Sequence, residues 1–557
     1  MQKKYRLLIS LKQYLVLFAL LVMTLSCNNQ EEPTPKLPSP NSTESELGTI
    51  NFKVTGTDEA QPYFEKGLLL LHSFEYEDAR TEFVKAQEID STFAMAYWGE
   101  AMTYNHSLWQ RQEKEKALAT LTKFASDSTN RVALIKTELE RDFFSAIELL
   151  YGEGTKYDRD VAYRDFMESL SEKYPNNHEV AAFYAISILG ATRNGRDDAM
   201  DGKTARVAQS IINENPNHPG ALHYLIHSYD DPEHAHLASF AADSYAKVAP
   251  SAAHALHMPS HIYVALGKWD EVVTSNIASW NASVNRKNKM ELETDALSFH
   301  ALNWMQYAFL QRGEVESATK VLEDMKRYAK ESPTKVAQSY LLSMKGAHLV
   351  ETNTWNGSLA TFNLPVSELN LTKRGGHAFL EGMIAYHKKD KDQLRKIIGE
   401  MTNDRTKAMV NLGDGTFAMC SAGGFANKPA NQLDIDMVHV MEMELEAYAA
   451  TLDNNTEKAE EWFEEATKLD ETLKYSFGPP IILKPVHEAY GEWLLENKKL
   501  EKALLVFEKS LDRHPGRLLS LQGKKKAAEL LKNKNAMTEA EEELEVNLAK
   551  KKRDVIL

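Results

Sequence analysis

Two short stretches of this chain carry histidines at helical spacing. His223 and His227 stand four residues apart, and His254, His257 and His261 follow at intervals of three and four. On an α-helix, residues at those intervals share a face, so each set projects from one side of its own cylinder. Neutral imidazole is the commonest protein ligand for zinc, copper, nickel and iron, and a His-x3-His pair on a helix supplies two donors to one ion. The same groups hydrogen-bond anions and act as general acids or bases. Asp230, Asp231, His234 and His236 follow the first pair closely enough to add ligands or to orient them.

The elements that position these residues are predicted to be helices. Apolar residues at helical intervals, such as Val180, Ala181, Tyr184, Ala185 and Leu189, fill the stretches between, and no window keeps a strand-like alternation. Breaks at 152–154, Asn194-Gly195 and 353–357 read as loops between helices. Pro259 lies inside the second histidine segment, where a missing amide should bend the helix and aim His257 and His261 at one point. The glycine-rich stretch from Asn411 to Asn431 has no phosphate-cradling spacing and reads as a long loop.

Composition excludes several classes. A net charge of −15 over 557 residues argues against a nucleic-acid binder, which would carry a basic stripe. Two cysteines, Cys27 and Cys420, exclude a disulfide scaffold, and Cys420 has no local histidine partner and reads as an inert thiol. No Ser-His-Asp nucleophile elbow or paired-carboxylate glycosidase signature is present.

Gly67, Ala79, Phe83 and Ala86 sit at the small-residue and aromatic positions of a helix pair, and a shift of 34 residues brings Ala101 under Gly67. Gly491, Ala503, Phe507, Ser510 and Pro515 repeat the pattern near the other end. Both segments resemble the tetratricopeptide repeat. The resemblance implies an all-α solenoid over residues 51–535 with a concave groove, followed by a charged C-terminal helix or tail over 536–557. It also implies which residues face that groove: His223 and His227 with Asp230 and Asp231, then His254, His257 and His261, then His300 and Asn303, and further on Glu488 and Glu492. Trp98 falls on such a position in the second repeat, where it either packs in the core or offers a platform to a sugar ring or an aromatic side chain. The histidine-rich middle, with Gly478-Pro479-Pro480 and His514-Pro515-Gly516-Arg517, resembles an uncharacterised family of bacterial tetratricopeptide proteins without an established activity.

Lys3, Lys4, Arg6 and Lys12 precede an apolar run from Tyr14 to Leu25, a length suited to a signal peptide over 1–26. Thr24-Leu25-Ser26-Cys27 resembles a lipobox of the Bacteroidota type, which implies lipidation at Cys27. The proline- and serine-rich stretch that follows reads as a flexible tether over 27–50. Asn28 and the acidic run Gln30-Glu31-Glu32 imply export to the outer membrane and its outer surface.

The sequence thus predicts a lipid-anchored outer-membrane solenoid whose groove binds an envelope protein or a glycan, as an accessory of surface polysaccharide uptake or degradation. Binding is placed ahead of stand-alone catalysis. The alternative is a metal-dependent enzyme, with His223, His227, His254, His257 and His261 holding a transition metal such as zinc or copper and Asp230 or Glu488 as acid or base.

Overall fold

A computed structural model describes residues 46–193, 195–410, 412–413 and 429–548. The stretches read as signal peptide and as tether up to residue 45, with Cys27, Cys420 and most of the 411–431 stretch, lie outside the described residues.

The repeat is written most plainly in its turns. Helix Gln61–His72 runs through Ser73 into Phe74, which takes φ 58°, and the amide of Glu75 then bonds back to the carbonyl of Leu70 at 3.0 Å. This left-handed cap satisfies carbonyls that a helix end leaves open and turns the chain into the antiparallel helix Tyr76–Ile89. The same turn recurs with left-handed Gly267, Gly313, Asn353, Lys389, Asn454, Lys498 and Lys532. Each is followed by the equivalent bond, from Lys268 to Tyr263, Glu314 to Phe309, Thr354 to Leu349, Asp390 to Ala385, Asn455 to Ala450, Lys499 to Leu494 and Asn533 to Ala528. The chain is an all-α solenoid of tetratricopeptide-like helix pairs. Among the described residues the one sheet is a two-residue ribbon, Asn105–His106 against Arg111–Gln112.

Small residues let the helices close on large ones. A Cβ added to Gly67 would lie 2.8 Å from the ring of Phe83, and Gly99 of the next helix meets the same ring still more tightly. Gly491 and Gly523 flank Phe507 in the same way. Two large apolar cores result among the described residues, one built from residues 47 to 344 and one from 342 to 536, with a small third cluster of Leu518, Leu521 and Leu544. Helix Lys335–Thr352 serves both, giving Tyr340, Leu341 and Met344 to the first and Leu342, Leu349 and Val350 to the second. The histidine helices belong to the first core.

Three local features differ from, or add to, the sequence reading. Residues 46–50, assigned to the tether, are docked: the Thr49 amide donates to the Asn217 carbonyl at 2.9 Å, and Leu47 is buried. Pro259 divides its segment into two short helices, Ala253–His257 and Pro259–Ala265, that meet at Met258. The charged C-terminal stretch forms helix Lys534–Leu548, which packs through Ala536, Ala540 and Leu544. Among the described residues no helix is long and apolar enough to cross a membrane.

Candidate metal centre

Four helices bring six imidazoles together. His223 and His227 stand on Pro219–Ser228, all ten residues of which are buried. Pro219 presets its first turn, and the His218 ring caps it by accepting from the Ala221 amide at 3.2 Å. His254 and His257 come from Ala253–His257, His261 from Pro259–Ala265, and His300 from Phe299–Gln311. The rings form two groups of three, His223 with His227 and His254, and His257 with His261 and His300, and within each group the nitrogens lie within 4.8 Å of one another. The groups touch, since the His227 and His261 ring centres are 5.6 Å apart.

This is not the open, groove-lining patch expected from the repeat register. His223 and His227 are 0% exposed, His261 1%, His257 2% and His300 5%. His254 alone is partly exposed, beside Trp109. Burial holds the His223 and His300 rings down to a pKa of about 3 and pushes His227, His254 and His257 well below the usual 6.5, with repulsion from neighbouring imidazoles adding to it in all five. Neutral imidazoles offer lone pairs.

Where those lone pairs point follows from proton bookkeeping. His261 Nδ1 donates to Asp230 Oδ2 at 2.5 Å. His257 Nδ1 donates to Asn276 Oδ1 at 2.7 Å, and the amide is fixed in that sense because its Nδ2 donates to the Val272 carbonyl. A neutral ring with a proton on Nδ1 has none on Nε2. The two Nε2 atoms face each other at 3.2 Å. A tetrahedral ion about 2.05 Å from two nitrogens holds them about 3.3 Å apart. The pair therefore has the spacing of two ligands of one ion. His300 completes the group, with Nδ1 3.1 Å from the Tyr340 hydroxyl.

The other histidine cluster of this core is different. Glu179, fully buried, accepts from His72 Nε2 at 2.7 Å and from His218 Nε2 at 3.1 Å. The opposite nitrogens accept in turn, His72 Nδ1 from the Tyr224 hydroxyl and His218 Nδ1 from the Ala221 amide. Every proton has a place, so hydrogen bonds alone account for this cluster. Its link to the centre is the His72 carbonyl, which accepts from His223 Nδ1 at 2.8 Å.

The remaining predicted site residues divide. Asp230 is drawn in as the partner of His261. Asp231 pairs with Arg196 at 2.8 Å and with His234, and it caps the following turn. His236 is exposed. Asn303 is buried on the His300 helix. Trp98 is no platform: it is 0% exposed and packs edge-on against Phe143 and Phe183. Glu488 is buried in a bidentate pair with Arg517, at 2.7 and 2.9 Å, which leaves no role as an acid or base at the histidines. Glu492 is held by Lys484 at 2.6 Å.

Several contributors carry no local signal in the sequence. Phe74, at its left-handed turn, lies 4.3 Å from the His223 ring and stacks on His227 and His254. Trp304 packs 4.5 Å from His261 and 4.8 Å from His257. Gly478 of the Gly-Pro-Pro segment rests against Trp304, at φ 83°, where an added Cβ would overlap the indole. Arg196 gathers the carbonyls of Ser228 and Asp230, and so fixes the carboxylate that orients His261.

No family model matches the chain, and no curated protein matches it in sequence. Solved structures with similar folds include the Cut9–Hcn1 hetero-tetramer of the APC/C, at 12% identity and TM-score 0.34 over 86% of this chain and 78% of that one. Yeast Tom70 matches at 12% identity and TM-score 0.30 over 87% of this chain and 99% of that one. The human IFIT1 dimer with m7Gppp-AAAA matches at 13% identity and TM-score 0.34 over 89% and 96%. The histidine centre rests on this chain's own residues.

Proposed function

We propose that the protein is a transition-metal protein, with an ion bound by His257, His261 and His300 inside the solenoid. The observation that carries this is the pair of Nε2 atoms facing each other at 3.2 Å, the spacing of two ligands, with each ring committed at Nδ1 to an oxygen acceptor. Ligating histidines characteristically donate their other ring nitrogen to a carboxylate or carbonyl, which fixes the tautomer and raises ligand basicity. A donor set of imidazoles alone suits zinc, copper, nickel or iron and disfavours calcium and magnesium. Three ligands leave a coordination position for water or a substrate, the arrangement of catalytic metal sites.

The lipobox-like Thr24-Leu25-Ser26-Cys27 supports a lipid anchor in the outer membrane. The helix-pair solenoid supports a second, compatible role in holding a protein partner. Recognition of an envelope protein or glycan by the histidines themselves loses its footing, because four of the five first-named imidazoles are at most 2% exposed.

The test is elemental analysis of the full chain after reconstitution with zinc or copper and desalting. The expected result is a stoichiometric ion and a raised melting temperature. Less than about a tenth of an equivalent, with no thermal shift, refutes the proposal.

A further inference from the structure

His223, His227 and His254 form a second triad, and three observations point it at an ion. First, the His72 carbonyl takes the Nδ1 proton of His223, so Nε2 carries a lone pair, and that lone pair faces His254 Nε2 at 3.2 Å. Second, His227 is 0% exposed, and neither ring nitrogen has a hydrogen-bond partner among the described residues. Buried polar side-chain atoms are nearly always satisfied, so a ring with both nitrogens unsatisfied at such a place calls for a ligand. Third, one nitrogen from each ring lies within 4.8 Å of the others. His223 and His227, four residues apart on one helix, have the spacing that chelates a single ion.

The surroundings say what kind of ion. Phe74 stacks on His227 and His254 and packs tilted against His223, and Trp109 stands edge-on to His254, so the walls are aromatic and the donors are nitrogen. Such a shell favours a borderline or soft transition metal over a hard cation. The triad also abuts the first-described one, with the His254 and His257 ring centres 6.2 Å apart and those of His227 and His261 5.6 Å apart.

We infer that the centre is dinuclear: a second transition-metal ion binds at His223, His227 and His254 beside the ion at His257, His261 and His300. This rests on the metal reading of the previous subsection and extends it from one ion to two. Each ion has three imidazoles, and the two sites share a wall of ligand rings.

The test is stoichiometry in the full chain. Metal-free protein is titrated with Co(II), followed by its d–d absorption, and the metal retained after desalting is measured by elemental analysis. The expected break is at two equivalents, with two ions retained per chain. A break at one equivalent overturns the second site and leaves the single-ion reading standing, whereas no retained metal overturns both. His227→Asn and His254→Gln are expected to lower the content from two ions to one with the fold preserved by circular dichroism. Retention of two ions by folded His227→Asn protein overturns the assignment. If either variant fails to fold, the wild-type titration still decides.

Discussion

Asp230→Asn tests the site at the point where its logic is narrowest. The Asp230 carboxylate accepts the His261 Nδ1 proton at 2.5 Å, and its own carbonyl is held by Arg196 at 3.2 Å. A charge-assisted bond of this kind contributes about 1.5–3 kcal/mol, and the isosteric amide keeps one neutral acceptor, so roughly half of that is lost. Removing the partner of a metal-bound histidine typically weakens affinity about 10–100-fold, or about 1.4–2.7 kcal/mol. The expected loss for the ion at His257 and His261 sits toward the lower end of that range. Metal-free protein should not be destabilised, because the variant also removes a fully buried negative charge. Competition against a chromophoric chelator gives the affinity, and thermal melts with and without metal give the two stabilities. Unchanged affinity together with a lowered melting temperature of the metal-free form would refute the reasoning and make Asp230 a purely structural group.

Gly478→Ala should drive its Cβ into the Trp304 ring, which backs His257 and His261. Overpacking of this kind costs about 1–3 kcal/mol, so the expected result is a lower melting temperature with altered tryptophan emission, and wild-type values for both would count against the packing described. Phe83→Ala removes a fully buried ring that locks Gly67 and Gly99 together and is expected to cost about 3–5 kcal/mol in denaturant unfolding; a loss below about 1.5 kcal/mol would mean that the repeat is not held there. Burial raises the Asp201 carboxyl from 3.8 to about 7, against the opposing pull of Arg196. The folded chain then keeps a proton that the unfolded chain has already lost, so this residue makes stability fall as pH rises from about 4 to about 7 and stay level above. Asp201→Asn should flatten that part of a melting profile taken from pH 4 to 8, and an unchanged slope contradicts the shift.

The repeat was legible in the sequence because its packing demands are local. Only a small residue fits opposite Phe83 or Phe507, and that demand leaves a mark at fixed spacing. The histidines were legible for the same reason, since four-residue spacing on a helix is visible without a structure. Burial was not. Helices Ala94–Met102 and Pro219–Ser228 are enclosed on every side, so a register that marks one face as the groove placed Trp98 and His227 at a surface they do not reach. Nor was the supporting shell readable: the His72 carbonyl reaches His223 across 151 residues, and Asn276 has no neighbour in sequence that would mark it as a partner of His257. Glu488 had the right position for the groove but found Arg517, 29 residues further along.

His254 and His257 share a single five-residue helix, and each belongs to a different triad. Whatever draws one ring toward a ligand also loads the backbone that carries the other. Occupancy at the two triads is therefore energetically linked, and such linkage is reciprocal: a factor by which the first ion alters affinity for the second is the same factor in the opposite order. The two ions should load as a coupled pair, with a binding curve that departs from two independent steps.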